Sequence, residues 1–545
     1  MSFRAFEGTS LERWKTESTA CDPAGFSKAL RFERSEEDIR NRHGSPPPIR
    51  PGLTRMTVLW SRVTTLPAFN RLDLTMLGKV FKAYDVRGKV PKPLNERIAW
   101  KIGHGTADFL LEEGVVTGRT DPMSQTIVVG RDARDSSPGL SEALCQGMRD
   151  RGASVIDIGL VDTPMVNFAV NYLDCGGGVQ VTASHNPVGY NGFKFSRIKG
   201  RPIGSGTGLE SIRDRSAVAD PVRVVPANGF LEQRDLWEPY AARILDRLNQ
   251  DAPAGLMAVR GRPLRVVVDA SNGVAGEMVS RLFSNVEGLE LIELNFDHSI
   301  GFKHDPNPLV ESNLDELREV VRAEGADAGV CFDGDADRCV VVDEDGRTIG
   351  GDLLTVWLAE SILGEKPEGK AVVYDLRSSR IVSERIEALG ARPIPCRVGH
   401  VFMKDSLATT HAVFGGELSG HFYFQDMFNA DSGARAFVSV LAGLAASKRP
   451  LSEMVEPFRK YAQSGEINFE CEDIEETLEA LKATYPDADM LEMDGLSLDT
   501  GRWWANIRAS NTEPLLRLNV ETFSPDELEI ALKELGPLLG RRVAH

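Results

Sequence analysis

Val179-Gln180-Val181-Thr182-Ala183-Ser184-His185-Asn186-Pro187 reads as a β-strand running into a tight turn. Pro187 restrains Asn186 and stops a helix from starting there. The turn therefore offers one nucleophilic hydroxyl, Ser184, at the end of a strand. The same pattern recurs twice. Residues 329–332 run into Asp333-Gly334-Asp335-Ala336-Asp337-Arg338, and residues 413–415 into Gly416-Glu417-Leu418-Ser419-Gly420-His421. Each loop enters a hairpin-like segment: 192–195, then 338–342 with a turn at Asp345-Gly346, then 422–424. Upstream of each lies an earlier β-rich run, a polar turn and a helix. These are 127–130 before Arg131-Asp132-Ala133-Arg134, 266–268 before Asp269-Ala270-Ser271-Asn272-Gly273, and 372–374 before Asp375-Leu376-Arg377. Strands alternating with helices predict α/β units with mixed sheets, and sites in such sheets form at strand ends. Three similar units each giving one loop to a shared cleft is the expected arrangement.

The chemistry of the loops is complementary. Asp333, Asp335 and Asp337 stand at i, i+2 and i+4, a spacing that aims alternate side chains at one point. Three hard oxygen ligands fit Mg²⁺, preferred over Mn²⁺ on ligand hardness. A serine is a weak nucleophile and needs activation or a charge-neutralising partner. Ser184 and the Asp triplet together read as a serine that carries a phosphoryl group and a divalent cation that holds it. Arg338 suits a phosphate beside the metal. A calcium loop is disfavoured, because its sixth position holds Arg338 in place of glycine and 340–342 read as a strand. Glu417, Ser419 and His421, set between glycines, can donate to and accept from several hydroxyls at once, as sugar recognition requires. Arg508, Ser510, Asn511 and Thr512, in Arg508-Ala509-Ser510-Asn511-Thr512-Glu513-Pro514, make a candidate phosphate clamp. Gly204-Ser205-Gly206-Thr207-Gly208 lacks dinucleotide-fingerprint spacing and reads as a loop entering a helix near Leu209. No Walker A sequence is present. Trp503-Trp504 is assigned to packing.

The whole chain sets bounds on these readings. At 545 residues it is too long for one core. Its net charge of −17 disfavours nucleic acid and anionic membrane surfaces as partners. Cationic side chains must then be concentrated locally to bind an anionic substrate. Seven cysteines without a CxxC pair suggest free thiols in a reducing cytoplasm. The longest apolar stretch, near 436–446, is too short for a bilayer and suits a buried helix. Residues 1–70 are charge-rich, contain Pro46-Pro47-Pro48-Ile49-Arg50-Pro51, and read as a disordered extension. The last stretch, with strands at 467–471, 506–508 and 516–520 and helices at 474–485 and 524–539, reads as a small α+β domain. Ser524-Pro525-Asp526-Glu527 is its clearest helix start. The expected division is 1–70, 71–234 with the serine loop, 235–347 with the metal loop, 348–460 with the sugar loop and 461–545 with the phosphate loop.

From residue 77 onward the chain resembles the α-D-phosphohexomutases, phosphomannomutase/phosphoglucomutase branch. The motifs that carry the resemblance occur in family order: Ala83-Tyr84-Asp85-Val86-Arg87-Gly88, then the Ser184, Asp333, Glu417 and Arg508 segments. The resemblance implies three similar mixed-sheet α/β domains plus a smaller C-terminal α+β domain around a central cleft. It implies a phosphoserine at Ser184, with Asp333, Asp335 and Asp337 holding Mg²⁺ together with a phosphoserine oxygen. Arg338, Arg87 and Lys194 would lie near the transferring group, and either Lys194 or His185 would be general acid or base. Tyr84, Arg397, His400, Glu417, Ser419 and His421 would face the sugar, and Arg508, Ser510, Asn511 and Thr512 the other phosphate. Arg397 stands where relatives often carry lysine, a planar fork in place of a point charge. The implied reaction interconverts mannose 6-phosphate and mannose 1-phosphate, with glucose phosphates as second substrates, through a hexose 1,6-bisphosphate. A phosphoglucosamine mutase or phosphoglucomutase is the alternative. A metal-dependent sugar phosphatase and an inactive sugar-phosphate binder stay open, as does a monomer or a dimer.

Overall fold

A computed structural model describes residues 71–220, 229–510 and 515–543. The extension expected over 1–70 lies outside the described residues, as do Asn511 and Thr512.

The first sheet contains β1 (Val86–Lys89), β2 (Thr126–Arg131), β3 (Ser154–Leu160), β4 (Gly177–Val181), β5 (Tyr190–Arg197), β6 (Pro202–Ile203) and β7 (Leu231–Gln233). Its order is β1-β5-β4-β2-β3-β7, with β6 on β5. The second contains β8 (Leu264–Asp269), β9 (Leu289–Leu294), β10 (Ala328–Phe332), β11 (Cys339–Asp343) and β12 (Thr348–Ile349), in the order β12-β11-β10-β8-β9. The third contains β13 (Ala371–Asp375), β14 (Arg392–Cys396), β15 (Phe414–Gly416), β16 (Phe422–Phe424) and β17 (Ala430–Asp431), in the order β14-β13-β15-β16-β17.

One topology underlies all three. A first strand (β2, β8, β13) pairs in parallel with a second on one side and a third on the other, and the third turns back into an antiparallel fourth. Apolar β-branched runs such as Val266-Val267-Val268 suit first strands buried on both faces. The turn after each first strand is held alike. Asp132, Asp269 and Asp375 each accept a hydrogen bond from the backbone N–H two residues on, at 3.1, 2.8 and 2.8 Å. The repeat read from sequence is thus present, with second strands β3, β9 and β14 in addition. The Ser184, Asp333 and Glu417 segments are the three loops between third and fourth strands.

The last sheet is antiparallel: β18 (Ala462–Gln463), β19 (Ile467–Glu470), β20 (Asp489–Leu491), β21 (Leu496–Asp499), β22 (Trp503–Ala509), β23 (Leu516–Thr522) and β24 (Arg541–Val543). Helices Ile474–Thr484 and Pro525–Leu539 cover it, and Ser524 caps the latter by accepting from Glu527 N. Trp503 is buried in this sheet's own core. Another apolar core is continuous from Val128 and Phe168 through Val266 and Phe283 to Phe437 and Phe458, joining the three repeated sheets. The apolar helix Gly433–Ala445 lies inside it. No helix among the described residues is long and apolar enough to cross a membrane. The six described cysteines are unpaired thiols.

One close approach aims a candidate side chain. Gly192 of β5 faces Arg87 of β1, and a Cβ on Gly192 would lie 1.9 Å from the Val86 carbonyl oxygen. Gly192→Ala is therefore expected to force β1 off β5 and lower stability by about 1–3 kcal/mol or more. An unchanged urea midpoint would contradict the tight pairing.

Candidate active site

The Ser184 loop is strained and clamped. Ser184 has φ of 51°, a left-handed conformation that costs a non-glycine residue about 1–3 kcal/mol. Arg134, at the end of the first-strand turn, holds it there. Its Nη2 donates to the carbonyls of Ser184 and Asn186, both at 2.6 Å, and its Nη1 to those of Pro187 and Tyr190, both at 3.1 Å. Asp132 pairs with Arg134 Nε at 3.1 Å and accepts from Thr182 Oγ1 at 2.7 Å. Thr182 Oγ1 in turn accepts from the Ser184 backbone N–H at 2.8 Å.

Ser184 meets the Asp333 loop directly: its Oγ donates to Asp333 Oδ2 at 2.8 Å. The backbones are close enough that a Cβ on Gly334 would lie 2.6 Å from Ser184 O. Asp333, Asp335 and Asp337 are buried, with one carboxylate oxygen of each within 4.8 Å of the others. Lys194 reaches in from β5, its Nζ 2.7 Å from Asp335 Oδ2 and 2.5 Å from Asp337 Oδ2. Burial, then the charges of Asp337 and Asp335, push Asp333 up to about 7. For Asp337 burial acts the same way but is outweighed by Lys194 and His421, which hold it well below the usual carboxylate range. Asp335 Oδ1 is buried with no hydrogen-bond partner among the described residues. Hard oxygens, surplus negative charge and an unpartnered oxygen fit a divalent cation.

Cationic side chains surround the serine. Arg87 donates from Nε to Asp85 Oδ2 at 2.7 Å and from Nη1 to Asn186 Oδ1 at 2.6 Å. Arg338 Nη2 donates to His185 Nδ1 at 2.7 Å, and its Nε lies 3.5 Å from Asp333 Oδ2. Burial, followed by Arg338, Arg87 and Lys194, holds His185 well below its ordinary pKa, so it is neutral.

The third loop is stitched to the second by a backbone bridge between Arg338 and His421, with Cys339 N donating to Gly420 O at 2.9 Å. His421 lies between carboxylates, Nδ1 3.1 Å from Glu417 Oε2 and Nε2 3.2 Å from Asp337 Oδ1. Burial opposes its charge, yet Asp337 and Glu417 prevail over Arg338 and push it up to about 9. Burial likewise opposes ionisation of Glu417, but the hydrogen bond and charge of His421, with Arg377, bring it down to about 2. Glu417 also accepts from Ser419 Oγ at 3.0 Å and Tyr423 Oη at 3.1 Å.

These loops form part of the wall of a cleft of about 1040 Å³. Tyr84 and His400 lie on the same wall in edge-to-face contact, ring centroids 6.2 Å apart. Arg377, Arg508 and Arg517 lie along it and gather round Glu466, at 3.9, 3.2 and 2.8 Å. Arg377 is also held by Asp375 at 2.8 Å. Arg397 stacks over Phe402, 4.4 Å from the ring centroid, next to Val398 and Gly399 of the cleft wall, and its charge acts on Tyr84 of the same wall. Arg377 also lies on the wall of the cleft. Ser510 sits at the end of β22, its N–H donating to Leu515 O at 2.8 Å.

Arg134, Arg377, Arg517 and Lys404, which pairs with Asp431 at 2.8 Å, were not singled out from sequence. For two of them a signal exists. Asp132-Ala133-Arg134 and Asp375-Leu376-Arg377 are the same Asp-x-Arg turn at the same point of two repeats.

His400 sits partly open to the cleft, and burial followed by Lys404 and Lys194 brings its imidazole down to about 3. The unfolded chain protonates this group near ~6.5. Between those values the unfolded state binds the extra proton, so stability falls as pH drops through that window. His400→Gln is expected to flatten this part of the stability–pH curve, read from urea midpoints. An unchanged slope would show that His400 protonates equally in both states.

Comparison with known proteins points to one family. Models of the phosphoglucomutase/phosphomannomutase alpha/beta/alpha domains I, II and III match residues 78–219, 239–346 and 350–461, and that of the C-terminal domain matches 466–534. A protein of Xanthomonas campestris pv. campestris described as "Phosphohexose mutases" is 40% identical over 468 residues, 84% of this chain and 98% of its own. The phosphomannomutase of Salmonella typhimurium is 35% identical over 453 residues, 81% of this chain and 94% of its own. The crystal structure of a phosphoglucomutase/phosphomannomutase family protein from Burkholderia thailandensis superposes with a TM-score of 0.74 at 31% identity, covering 85% of this chain and 99% of that one. With all four domain models matched in order and relatives covered almost end to end, this chain belongs to the phosphoglucomutase/phosphomannomutase family.

Proposed function

We propose that this chain is a cytoplasmic phosphomannomutase that interconverts mannose 6-phosphate and mannose 1-phosphate and accepts glucose phosphates as second substrates. The observation that carries this reading is the 2.8 Å contact of Ser184 Oγ with Asp333, beside Arg87, Arg338 and Lys194, in a cleft that also holds the Arg377–Arg508–Arg517 cluster. One end can exchange a phosphoryl group while the other holds a second phosphate. The mannose assignment rests on Glu417 in its Gly-Glu-Leu-Ser-Gly-His setting and on the relatives that carry the name phosphomannomutase.

Asp333, Asp335 and Asp337 would hold Mg²⁺ together with an oxygen of phosphorylated Ser184. A cation there supplies positive charge that offsets the phosphoryl oxygens during transfer. The remaining work falls to side chains. A hydroxyl of the bound hexose monophosphate attacks the phosphorus on Ser184. The new oxygen–phosphorus bond forms as the Ser184 Oγ–phosphorus bond breaks; the departing Oγ takes a proton from the general acid, which is recharged by the proton that the attacking hydroxyl loses. Arg338 and Arg87 stabilise charge on the transferring group. His185 keeps Nδ1 occupied by Arg338, so Lys194, which its neighbouring carboxylates favour in the charged form despite burial, is the residue assigned to donate a proton. Glu417, Ser419 and His421 read the sugar hydroxyls, and Tyr84 and His400 flank the same wall. Arg508, with Arg377 and Arg517, binds the phosphate that is not moving, and Ser510, Asn511 and Thr512 would add donors. The hexose 1,6-bisphosphate then reorients, and its other phosphate returns to Ser184.

A coupled assay with mannose 1-phosphate, glucose 1-phosphate and glucosamine 1-phosphate, with Mg²⁺ and a trace of bisphosphate, tests the assignment. Turnover of the first two is expected, and Ser184→Ala should lower it by at least ~10³-fold. Preference for glucosamine 1-phosphate would move the chain to that branch of the family. Net release of inorganic phosphate with Ser184 dispensable would make it a phosphatase, and no turnover at all a sugar-phosphate binder.

A second variant separates the two phosphate sites. Arg377→Ala removes a cation from the distal cluster and is expected to raise KM by about 10-fold or more with a smaller change in kcat, since a charged hydrogen bond is worth about 1.5–3 kcal/mol. In steady-state kinetics Arg397→Ala, which removes a guanidinium stacked on Phe402, is expected to raise KM less. The reverse ranking would contradict the assignment of Arg377.

A further inference from the structure

The structure assigns to Thr163 the positioning of Asp335 within the cation site, an assignment that rests on reading the Asp triplet as that site. Thr163 opens the helix Thr163–Tyr172 in the first unit, whereas Asp335 lies in the loop of the second. Two bonds join them. The Thr163 backbone N–H donates to Asp335 O at 3.0 Å, and its hydroxyl donates to Asp335 Oδ2 at 2.5 Å. Lys194 Nζ is bound to the same oxygen at 2.7 Å. Both donors therefore fall on Oδ2, and the buried Oδ1 is the oxygen with no partner among the described residues. A carboxylate held this way cannot swing, and Oδ1 is the atom left for a cation.

The two donors come from different elements, Lys194 from β5 and Thr163 from the start of a helix, so Asp335 Oδ2 is held from two directions. The helix is itself anchored, because Asp162, the residue before it, accepts from Tyr240 Oη at 2.8 Å. The backbone bond alone would suffice to join the two segments. What the hydroxyl adds is control of carboxylate rotation, so its removal should be felt by the metal and not by the fold.

Mn²⁺ titration of the full chain, followed by electron paramagnetic resonance, tests this with a readout independent of turnover. Wild type should show a site that Asp335→Asn abolishes or severely weakens; absence of any such site would overturn the metal reading itself. With the site present, Thr163→Val should weaken Mn²⁺ binding about 10-fold or more, and Thr163→Ser should restore it to within about threefold, the range typical of groups that orient metal ligands. The metal-free melting temperature should stay near that of wild type. Should Thr163→Val not fold, Thr163→Ala reads the same loss of the hydroxyl. Unaltered Mn²⁺ affinity in a folded variant lacking the hydroxyl would overturn the assignment of Thr163 while leaving the metal site standing.

Discussion

Three carboxylates brought within 4.8 Å of one another in the interior set the conditions for everything around them. Buried like charges repel strongly, and burial itself opposes ionisation. Such a cluster is tolerated only where opposite charge is supplied from close by. Here it comes from different parts of the fold. Lys194 arrives on a strand of the first unit, Arg338 belongs to the loop itself, and His421 comes from the third unit. The triplet can therefore be buried only where three loops meet, and the backbone bridge from Arg338 to His421 fixes that meeting point. Burial and then the same cationic surroundings hold His185 neutral. Around Ser184 the arrangement concentrates positive charge beside the hydroxyl.

A single topological device delivers the loops. In each repeated unit the third strand turns back into an antiparallel fourth, and the turn projects from the strand end. The conformations required at those turns are costly, as the left-handed φ of 51° at Ser184 and 56° at Ala336 shows. Arg134 meets that cost at Ser184 with four hydrogen bonds to loop carbonyls. Gly334 permits contact of the two backbones that any side chain would block. The apolar core shared by the three sheets keeps the relative placement of the loops stiff enough for contacts near 2.8 Å to persist.

The parts of this arrangement that were legible in the sequence are those written locally. A strand running into Ser184, Asp333 or Glu417 shows its end, its turn residues and its chemistry within about ten residues, as α/β loop sites generally do. The second strands were harder to see. β9 alternates through Leu289-Glu290-Leu291 as an exposed strand does, and β14 carries two prolines. Neither is an uninterrupted apolar run. Arg134 escaped notice because its target carbonyls lie 50 or more residues away and are backbone atoms, which leave no mark in sequence. The Arg397 position shows the opposite limit. Two arginines follow neighbouring parallel strands of the third unit, and only packing shows what each one meets. Arg377 follows central β13 and enters the cleft, whereas Arg397 follows edge strand β14 and stacks on Phe402. The Asp-x-Arg turn shared with Asp132 and Arg134 would have favoured Arg377.

The central claim is that Ser184, and not one of the adjoining carboxylates, carries the phosphoryl group. Its most direct test is to incubate the full chain with hexose 1,6-bisphosphate and Mg²⁺, quench, and locate the label by peptide mass spectrometry. The account predicts a single phosphoryl group on the peptide containing Ser184, removed again when hexose monophosphate is added. Phosphate on Asp333 instead, or label that sugar phosphate cannot discharge, would contradict it.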